Sequence, residues 1–257
     1  FEDMKDLYIY SKKVGVNLFF SAFDRKTVKQ AFSISPELIK ISSMDLTNFE
    51  VCDEASKLFK NIIMSTGMST IEDIHKSAKF ITDRISKDNL TLLHCISSYP
   101  MDISSIALGT IKELKKYSNN VGYSDHSIDP STSLLAVAFG AKLIEKHITL
   151  DKKLPGPDHL HSLEPNELNN LVDILHNFSL IEKVRNGIIG SEKKEYRRQK
   201  KGYYYKKNKK KGSIISIDDL ELRPPCIGDD TFEISKKIGE KLKFDKQKFE
   251  PARLLDF

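Results

Sequence analysis

The sequence predicts an α/β fold of the eight-unit barrel type, (β/α)8. Six short apolar segments, each flanked by an amphipathic segment, recur at a spacing of roughly 25 to 30 residues. Polar residues and glycines gather directly after each apolar segment, whereas the residues before it show no such pattern. An open doubly wound sheet uses one or two strand ends for chemistry, but a barrel brings all of them to one mouth. We therefore favour the barrel.

Strands and helices alternate along the chain. Runs of Val, Ile, Leu and Phe predict strands over residues 16–20, 38–41, 62–64 and 90–93, and at Val121 and Leu143. Helical periodicity predicts helices over residues 4–14, 27–32, 71–81 and 106–114, after Asp129-Pro130, and from Glu164-Pro165. Because a strand–helix–strand unit nearly always joins parallel neighbours, consecutive strands should lie side by side in a parallel sheet.

Capping residues mark several of the helix ends. Ser69 with Glu72 fits a capping box at the start of one helix. In the next-to-last strand–helix unit, Asp129 suits the N-cap and Pro130 the first helical position, while Gly140 suits the position just past the end. These signals predict where each helix begins and ends.

Two histidines follow neighbouring strands near the middle of the chain. Side chains alternate along a strand, so Ser124 and His126 share one face, and Glu145 and His147 share one face of the next strand. Two imidazoles should therefore lie at the carboxyl ends of adjacent parallel strands, where α/β folds place their chemistry. Lys40 occupies an inward strand position, which is unfavourable unless its ammonium group meets an anion.

Other polar residues have simpler structural interpretations. A histidine at a strand end is commonly a hydrogen-bonded structural residue, and we prefer this interpretation for His94. Asp125 can cap the turn that follows its strand, and Asp24 can cap the helix that begins at Arg25. Each serine at a strand end can equally be a turn or cap residue.

The composition is that of an ordinary globular protein, with 39% hydrophobic and 30% charged residues among 257. No apolar run approaches the roughly 20 residues that a membrane-spanning helix needs. Cys52, Cys95 and Cys226 are widely spaced and lack a C-x-x-C pair, which argues for a reducing compartment and against a thiolate metal site. We expect a cytoplasmic protein.

The net charge of +5 is concentrated in one segment. Residues 193–211 contain eleven Lys or Arg and one Glu, a local charge of +10 that leaves −5 for the remainder. Lysines interleaved with Tyr203, Tyr204 and Tyr205 are typical of a surface that binds single-stranded nucleic acid. The alternative, which we prefer, is a solvated strand and loop, so nucleic acid is not expected as a partner.

The pattern changes near residue 190, where short strands and turns replace the strand–helix repeat. We predict a catalytic barrel domain over residues 1–188 and a small β-rich domain, with its linker, over residues 189–257. Eight strands close a barrel and six are predicted here, so we expect that the first two strands lie in a segment of roughly 70 to 90 residues upstream.

Six motifs resemble, in order and spacing, those of the sialic acid (N-acetylneuraminate) synthase family, which includes legionaminic and pseudaminic acid synthases. They are Lys40-Ile-Ser-Ser, Ser65-Thr-Gly-Met, His94-Cys-x-Ser-x-Tyr-Pro, Gly122-Tyr-Ser-Asp-His, Glu145-Lys-His and Pro155-Gly-Pro-Asp-His. The tail, with Lys210-Lys-Gly, Asp218-Asp-Leu and Leu222-Arg-Pro, resembles that family's C-terminal antifreeze-like (SAF-type) domain. The resemblance covers essentially the whole chain.

The resemblance implies a transferase that condenses phosphoenolpyruvate with N-acetylmannosamine or a related N-acyl hexose and releases phosphate. It also implies a divalent metal, Mn²⁺ or Mg²⁺, and a domain-swapped homodimer in which each small domain covers the partner's barrel. The family's first two strands carry a catalytic glutamate and a further lysine, which fall before the first residue of this sequence.

The resemblance also implies roles for individual residues. His126 and His147 match the metal ligands, and Asp158 matches the carboxylate near the metal and the sugar. With His126 and Asp158, Lys40 completes the expected catalytic set. The residues that match substrate contacts are Ser21, Ser43 and Ser65 for the phosphate (together with Lys40), Ser97 and Ser124 for the enolpyruvyl carboxylate, and Asp45, Tyr99 and Arg223 for the sugar.

Two other functions remain open from the sequence. The chain can be another phosphoenolpyruvate-dependent or aldolase-type barrel enzyme that uses a different acceptor. It can also be an inactive fragment of the synthase. Phosphate release from phosphoenolpyruvate, measured across a panel of acceptor sugars, separates these possibilities.

Overall fold

The computed structural model describes residues 1–257, the side chain of Ser179 excepted. The chain divides into two compact units, Phe1–Ile181 and Glu182–Phe257. Within the described residues, no helix is both long enough and apolar enough to cross a membrane.

The first unit is built on a parallel sheet whose strands pair in sequence order. Its strands are β1 (Phe20–Ser21), β2 (Leu38–Ile41), β3 (Asn61–Ser65), β4 (Leu90–Cys95), β5 (Asn120–Asp125) and β6 (Leu143–Lys146). Its helices are α1 (Glu2–Lys13), α2 (Arg25–Ile34), α3 (Phe49–Leu58), α4 (Ile71–Thr82), α5 (Thr110–Leu114), α6 (Ser131–Ala138), α7 (Pro165–His176) and α8 (Phe178–Ile181). Sequential parallel order with a helical crossover between neighbours is the order found in a partial (β/α)8 barrel.

The first predicted strand is shorter than expected and lies later in the chain. Strand β1 holds only two residues, Phe20 and Ser21, which pair with Ile39 and Lys40 of β2. The backbone N–H of Val16 instead donates to the carbonyl of Ser11 at the end of α1. This bond ties the start of the predicted strand to the preceding helix, so the prediction was wrong for residues 16–19.

Capping side chains set the helix starts, although one capping box lies one residue later than predicted. Thr70 caps α4 by accepting from the N–H of Asp73, whose carboxylate accepts from the N–H of Thr70. The predicted cap, Ser69, instead donates to the carbonyl of Gly67. Asp24 caps α2 as expected, through a capping box with Thr27.

Helix α6 also begins one residue later than expected. Pro130 holds the N-cap position, and the carboxylate of Asp129 accepts from the N–H of Ser131. The side chain of Asp129 therefore still satisfies a free N–H group of the first turn. Gly140 follows the helix with φ +99°, a left-handed conformation that glycine adopts without strain.

The main hydrophobic core lies between the sheet and its helices. Side-chain alternation places Ile39 and Ile41 of β2, both fully buried, on the helix-covered face. Lys40 lies between them on the opposite face, and it is 6% exposed. The same alternation on β5 puts Val121 and Tyr123 into the core. The opposite face of the sheet is left for polar side chains at the strand ends.

The second unit has its own small core and an antiparallel pair of strands. Its elements are α9 (Lys193–Gln199), β7 (Gly202–Tyr205), β8 (Leu220–Arg223) and α10 (Thr231–Ser235). The core residues are Tyr205, Ile215, Leu220, Ile234, Leu242, Ala252 and Phe257.

Two of the three consecutive tyrosines in this unit are structural. Tyr205 is fully buried and donates from its hydroxyl to Asp256 at 3.0 Å, and Tyr204 is 6% exposed. Only Tyr203, which is half-buried, offers a ring to solvent among the three. Base stacking needs exposed ring faces, so this arrangement favours the structural interpretation of the tyrosine run.

Candidate active site

A cavity of about 300 Å³ lies at the carboxyl ends of the parallel strands. Nine of the residues predicted to form the site line it, namely Ser21, Lys40, Ser43, Ser65, Ser97, Tyr99, Ser124, His126 and His147. They come from all six strands or from the loops that directly follow them. The remaining lining residues are Ser42, Met44, Met68, Cys95 and Glu145.

One side of the cavity is a group of hydroxyls around a lysine. Lys40 is buried, and register places Ser21 beside it on β1. The hydroxyls of Ser65 and Ser97 are buried and have no hydrogen-bond partner. A buried hydroxyl without a partner is unfavourable, and a ligand that accepts hydrogen bonds would satisfy both. A cation with two unpartnered hydroxyls in the same cavity is a suitable site for an anion.

Gly67 gives this group its space. A Cβ atom at Gly67 would overlap the Ser97 hydroxyl and would come within 2.9 Å of the Ser43 hydroxyl. The N–H of Gly67 donates to the Ser43 oxygen at 3.0 Å, which orients that hydroxyl. Any side chain at this position would therefore have to displace the hydroxyls of Ser97 and Ser43.

A carboxylate lies opposite the lysine. Glu145 on β6 places one oxygen 3.2 Å from the Lys40 ammonium and accepts at the other from the Ser124 hydroxyl at 2.6 Å. The Glu145 side chain is 37% exposed, whereas that of Lys40 is 8% exposed. The charge of Lys40 is thus balanced within the cavity by a carboxylate that solvent reaches.

The other side of the cavity is a cluster of four rings. The ring centroid of His147 lies 5.4 Å from that of His126 and 4.8 Å from that of His161. Tyr99 closes the group, with its ring centroid 4.3 Å from that of His126 and 5.7 Å from that of His161. The two predicted imidazoles thus share one environment with a third.

This cluster has the donor set of a metal site. Ligand atoms of His147, Asp158 and His161 all lie within 4.8 Å of one another. Both ring nitrogens of His161 are buried without a partner, which indicates that the side chain can accept a ligand. His126 is not one of these three residues. It bonds through Nδ1 to the carbonyl of Ile96 at 2.8 Å, which orients the ring and leaves Nε2 as the nitrogen that can bind a ligand. Imidazoles and a carboxylate fit a divalent cation.

Burial keeps two of these imidazoles neutral. It lowers the pKa of His147, and the neighbouring His126 adds to this effect. Burial also lowers the pKa of His161, with His147 adding to it. The neutral form carries the lone pair that a metal needs, so both rings are suited to coordination near neutral pH. Burial raises the pKa of the Tyr99 hydroxyl.

Three predicted site residues do not line the cavity. Asp158 is exposed but belongs to the group with His147 and His161. Asp45 is buried in a turn after β2, where one carboxylate oxygen accepts from Asn48 and the other has no partner. Arg223 lies in the second unit on β8, with its guanidinium 4.8 Å from the ring centroid of Phe249.

His94 and Asp125, for which we preferred or considered a structural role, both make hydrogen bonds to neighbouring backbone or side-chain groups. His94 lies on the helix-covered face, where Nε2 bonds to the carbonyl of Ile106 at 2.6 Å. Asp125 is fully buried on the same side and accepts from the N–H of Ser127 and from the hydroxyls of Thr132 and Ser133.

The predicted site lacked Glu145, His161 and Gly67. Side-chain alternation correctly placed Glu145 on the same strand face as His147. The sequence did not indicate, however, which residue the Glu145 carboxylate contacts. His161 lies in a short 3-10 turn, His159–His161, where no periodicity predicts which side chain points inward. Its only sequence signal is its position shortly after Asp158.

Several known proteins are similar to this chain. It is 39% identical to the N,N'-diacetyllegionaminic acid synthase of Campylobacter jejuni over 169 residues, which cover 65% of this chain and 51% of that protein. It is 30% identical to the corresponding synthase of Legionella pneumophila over 253 residues, or 93% of this chain and 69% of that protein. The chain thus spans about half to two thirds of the length of these two relatives.

A solved structure supports the fold. The N-acetylneuraminic acid (sialic acid) synthetase of Leptospira borgpetersenii, solved with citrate, superposes with a TM-score of 0.67 at 34% identity. The match covers 76% of this chain and 68% of that protein. The α/β fold with a parallel sheet of partial-barrel type is therefore confirmed. The sequence model of the NeuB family matches residues 1–185, and the chain belongs to this family.

Proposed function

We propose that this chain carries the catalytic site of a nonulosonic acid synthase. The reaction joins phosphoenolpyruvate to N-acetylmannosamine or a related N-acyl hexose, consumes water and releases phosphate. The observation that carries the proposal is a buried lysine, Lys40, among unpartnered serine hydroxyls on one side of a cavity that has an imidazole cluster on the other. The synthases to which the chain is similar support the same class of reaction.

The lysine side of the cavity would bind the phosphate of phosphoenolpyruvate. Lys40 supplies the positive charge, and the hydroxyls of Ser43, Ser65 and Ser21 supply donors around it. Charge-assisted hydrogen bonds of this kind are about twice as strong as neutral ones. Ser97 and Ser124 would then face the carboxylate of the same molecule.

Carbon–carbon bond formation requires the enol carbon to reach the aldehyde carbon of the sugar. The methylene carbon of phosphoenolpyruvate attacks the aldehyde, and the aldehyde oxygen gains a proton. Water then adds to the enolpyruvyl carbon, and the bond between that carbon and the phosphate oxygen breaks. With a hexose as the acceptor, the products are one acid with a nine-carbon chain and one phosphate, and together they account for all atoms of the two substrates and the water.

The imidazole side would position the sugar aldehyde. His126, His147 and Asp158 are the residues that would hold Mn²⁺ or Mg²⁺. Ligand atoms of His147 and Asp158 lie within 4.8 Å of each other, and the ring centroid of His126 lies 5.4 Å from that of His147. Such an ion, when bound, would polarise the carbonyl oxygen. The ring of Tyr99 lies in the same cluster, and its hydroxyl is protonated near neutral pH, as an ordinary tyrosine is. It can therefore donate a hydrogen bond to the sugar.

The proposal also includes two sugar contacts and a homodimer. Asp45 and Arg223 would contact the sugar, with Arg223 supplied by the partner subunit of a domain-swapped homodimer whose small domain is of the antifreeze-like type. Arg223 has a half-exposed side chain, paired with Glu221 at 3.4 Å, so its guanidinium is accessible to a ligand. A cytoplasmic location of the enzyme is part of the same proposal.

The experiment is a phosphate-release assay with product identification. The protein is incubated with phosphoenolpyruvate, Mn²⁺ or Mg²⁺, and one acceptor at a time from a panel of N-acetylmannosamine, diacetamido hexoses and aldoses without an N-acyl group. The product mass is then measured. We expect phosphate release that depends on one acceptor and an equimolar nine-carbon acid. Release with an acceptor that lacks an N-acyl group would instead indicate another phosphoenolpyruvate-dependent enzyme. No release with any acceptor would contradict the proposal.

A further inference from the structure

His161 is buried in a way that its surroundings do not explain. Its side chain is 0% exposed, and neither ring nitrogen has a hydrogen-bond partner. A neutral imidazole presents one donor and one acceptor, so its burial without partners is unfavourable. The other two buried histidines, His94 and His126, each bond to a backbone carbonyl.

The position of His161 offers a partner of another kind. One ring nitrogen lies within 4.8 Å of a ligand atom of His147 and of a carboxylate oxygen of Asp158. Asp158 is exposed, and its carboxylate is 3.9 Å from Nδ1 of His147. Three donor atoms at these separations surround a point that a small cation can occupy after modest side-chain rotation, since metal–ligand distances are about 2.0 to 2.2 Å.

We propose that His161 is an additional protein ligand of the metal and that it gives the site a preference for Mn²⁺ and other transition ions over Mg²⁺. This inference rests on the proposed function for the location of the metal, and it adds a residue that lies outside the six sequence motifs. Coordination would satisfy one of the two buried nitrogens of His161.

The donor set explains the preference. Mg²⁺ favours oxygen ligands and retains several waters, whereas imidazole favours first-row transition ions. With His126 and His147 alone, the ion keeps most of its coordination positions for water and substrate. A third imidazole replaces one water by nitrogen, which stabilises a transition ion more than it stabilises Mg²⁺. The ion then has one coordination position fewer for exchangeable water, and the protein holds it more tightly between turnovers.

The test measures Mn²⁺ binding without substrates. Mn²⁺ affinity is determined from the electron paramagnetic resonance signal of free Mn²⁺, with Mg²⁺ as competitor, for the unmodified protein and for His161→Ala. Removing a direct ligand should weaken Mn²⁺ binding by about 10-fold or more, by comparison with the roughly 10- to 100-fold typical of second-shell changes. Mg²⁺ binding should change less, so the ratio of the two affinities falls.

Two further measurements separate ligation from a merely structural role. Electron spin-echo modulation from ¹⁴N should show one fewer coordinated imidazole in His161→Ala, and free imidazole should restore Mn²⁺ affinity to this variant. The matched control is His159→Ala, on the same turn, whose ring is already bonded to the Thr149 hydroxyl at 2.7 Å and should be dispensable. An unchanged nitrogen count with unchanged Mn²⁺ affinity in His161→Ala would overturn the inference.

These outcomes are independent of the proposed reaction. Tight Mn²⁺ binding that weakens in His161→Ala supports the ligand assignment even when no acceptor sugar releases phosphate. Conversely, acceptor-dependent phosphate release with no change of metal affinity in His161→Ala supports the synthase and rejects the ligand.

Discussion

The ammonium of Lys40 lies 3.2 Å from the carboxylate of Glu145, although their strands are not neighbours. Strands β3, β4 and β5 separate β2 from β6. In a flat sheet the two backbones would lie roughly 19 Å apart, a distance that a lysine and a glutamate cannot bridge even when both are extended. The ion pair therefore shows that the sheet curls, and the curl brings the strand-end residues around one cavity.

The first prediction concerns the positive charge at this position. Lys40→Met removes the ammonium that would hold phosphate, while the methionine still fills the buried space. We expect kcat/KM for phosphoenolpyruvate to fall by about 10² to 10³, in the range found when other electrostatic catalytic groups are removed. The measurement is the rate of phosphate release at varied phosphoenolpyruvate and a saturating acceptor.

The control for this prediction is Lys142→Met. Lys142 is exposed at the opposite end of β6, where its ammonium contacts the carbonyl of Asn119. It carries the same charge but does not line the cavity. Equal losses in the two variants would point to a general effect of charge and would reject a specific phosphate contact.

The second prediction concerns the space between the serines. In Gly67→Ala the new methyl group must displace the hydroxyls of Ser97 and Ser43. We expect KM for phosphoenolpyruvate to rise by about 10-fold or more, because a displacement of about 1 Å can reduce activity by two orders of magnitude. Circular dichroism should show an unchanged fold. Gly109→Ala is the matched control, since a Cβ there meets no atom within 4 Å and the backbone is helical.

The pattern of strand ends made much of this site predictable. Alternation along β5 and β6 correctly placed Ser124, His126 and His147 together on the inward face, and the same rule made Lys40 inward. A period of two residues is a property of the strand itself, so it can be read without knowledge of the neighbouring strands. The buried faces of the helices can likewise be predicted from a local pattern, because the helical period of 3.6 residues is a property of the helix itself.

Features that depend on curvature or on irregular backbone were not predictable. The partner of Lys40 lies four strands away, and only the curl of the sheet selects Glu145 from the other acidic residues. His161 lies in a 3-10 turn that follows an irregular loop, where spacing does not determine direction. The capping box of α4 moved by one residue because a threonine–aspartate pair, Thr70 and Asp73, performs the same function as the predicted pair.

The third prediction concerns a buried ion pair behind the cavity. Asp125 and Lys146 are 0% and 3% exposed in their side chains and lie 3.4 Å apart. Asp125→Ala leaves the ammonium of Lys146 buried without its carboxylate, and we expect a loss of about 3 to 5 kcal/mol in the free energy of unfolding. Urea denaturation followed by circular dichroism measures this loss.

Two further variants show whether that loss of stability comes from the buried ion pair. Adding Lys146→Met should recover part of the loss, because the uncompensated charge is removed together with its partner. Asp129→Ala, which removes an exposed carboxylate that caps α6, should reduce stability by only about 1 kcal/mol. A loss in Asp125→Ala no larger than in Asp129→Ala would show that the buried pair contributes little.

The fourth prediction concerns the acid stability of the second unit, through Asp219. Burial acts to raise the pKa of this carboxyl, but hydrogen bonds from Lys209 and from the N–H of Ser216 outweigh burial and lower the pKa from 3.8 to about 2. The side chain is 8% exposed, and the Lys209 ammonium lies 2.7 Å away. A carboxyl whose pKa is lower in the folded state stabilises that state above its unfolded pKa, and the contribution disappears as the pH falls through the folded pKa.

We therefore expect the second unit to lose about 2 kcal/mol of stability as the pH falls from 5 to 2 because Asp219 is protonated. In Asp219→Asn this loss should be absent, and stability at pH 7 should already be lower by a similar amount. Hydrogen–deuterium exchange of the β7 amides, corrected for the intrinsic pH dependence of exchange, reports the stability of this unit. Asp218→Asn, an exposed neighbour in the same turn, is the control and should retain the pH dependence of the unmodified chain. An identical acid transition in Asp219→Asn and the unmodified chain would assign the acid sensitivity to other carboxyl groups.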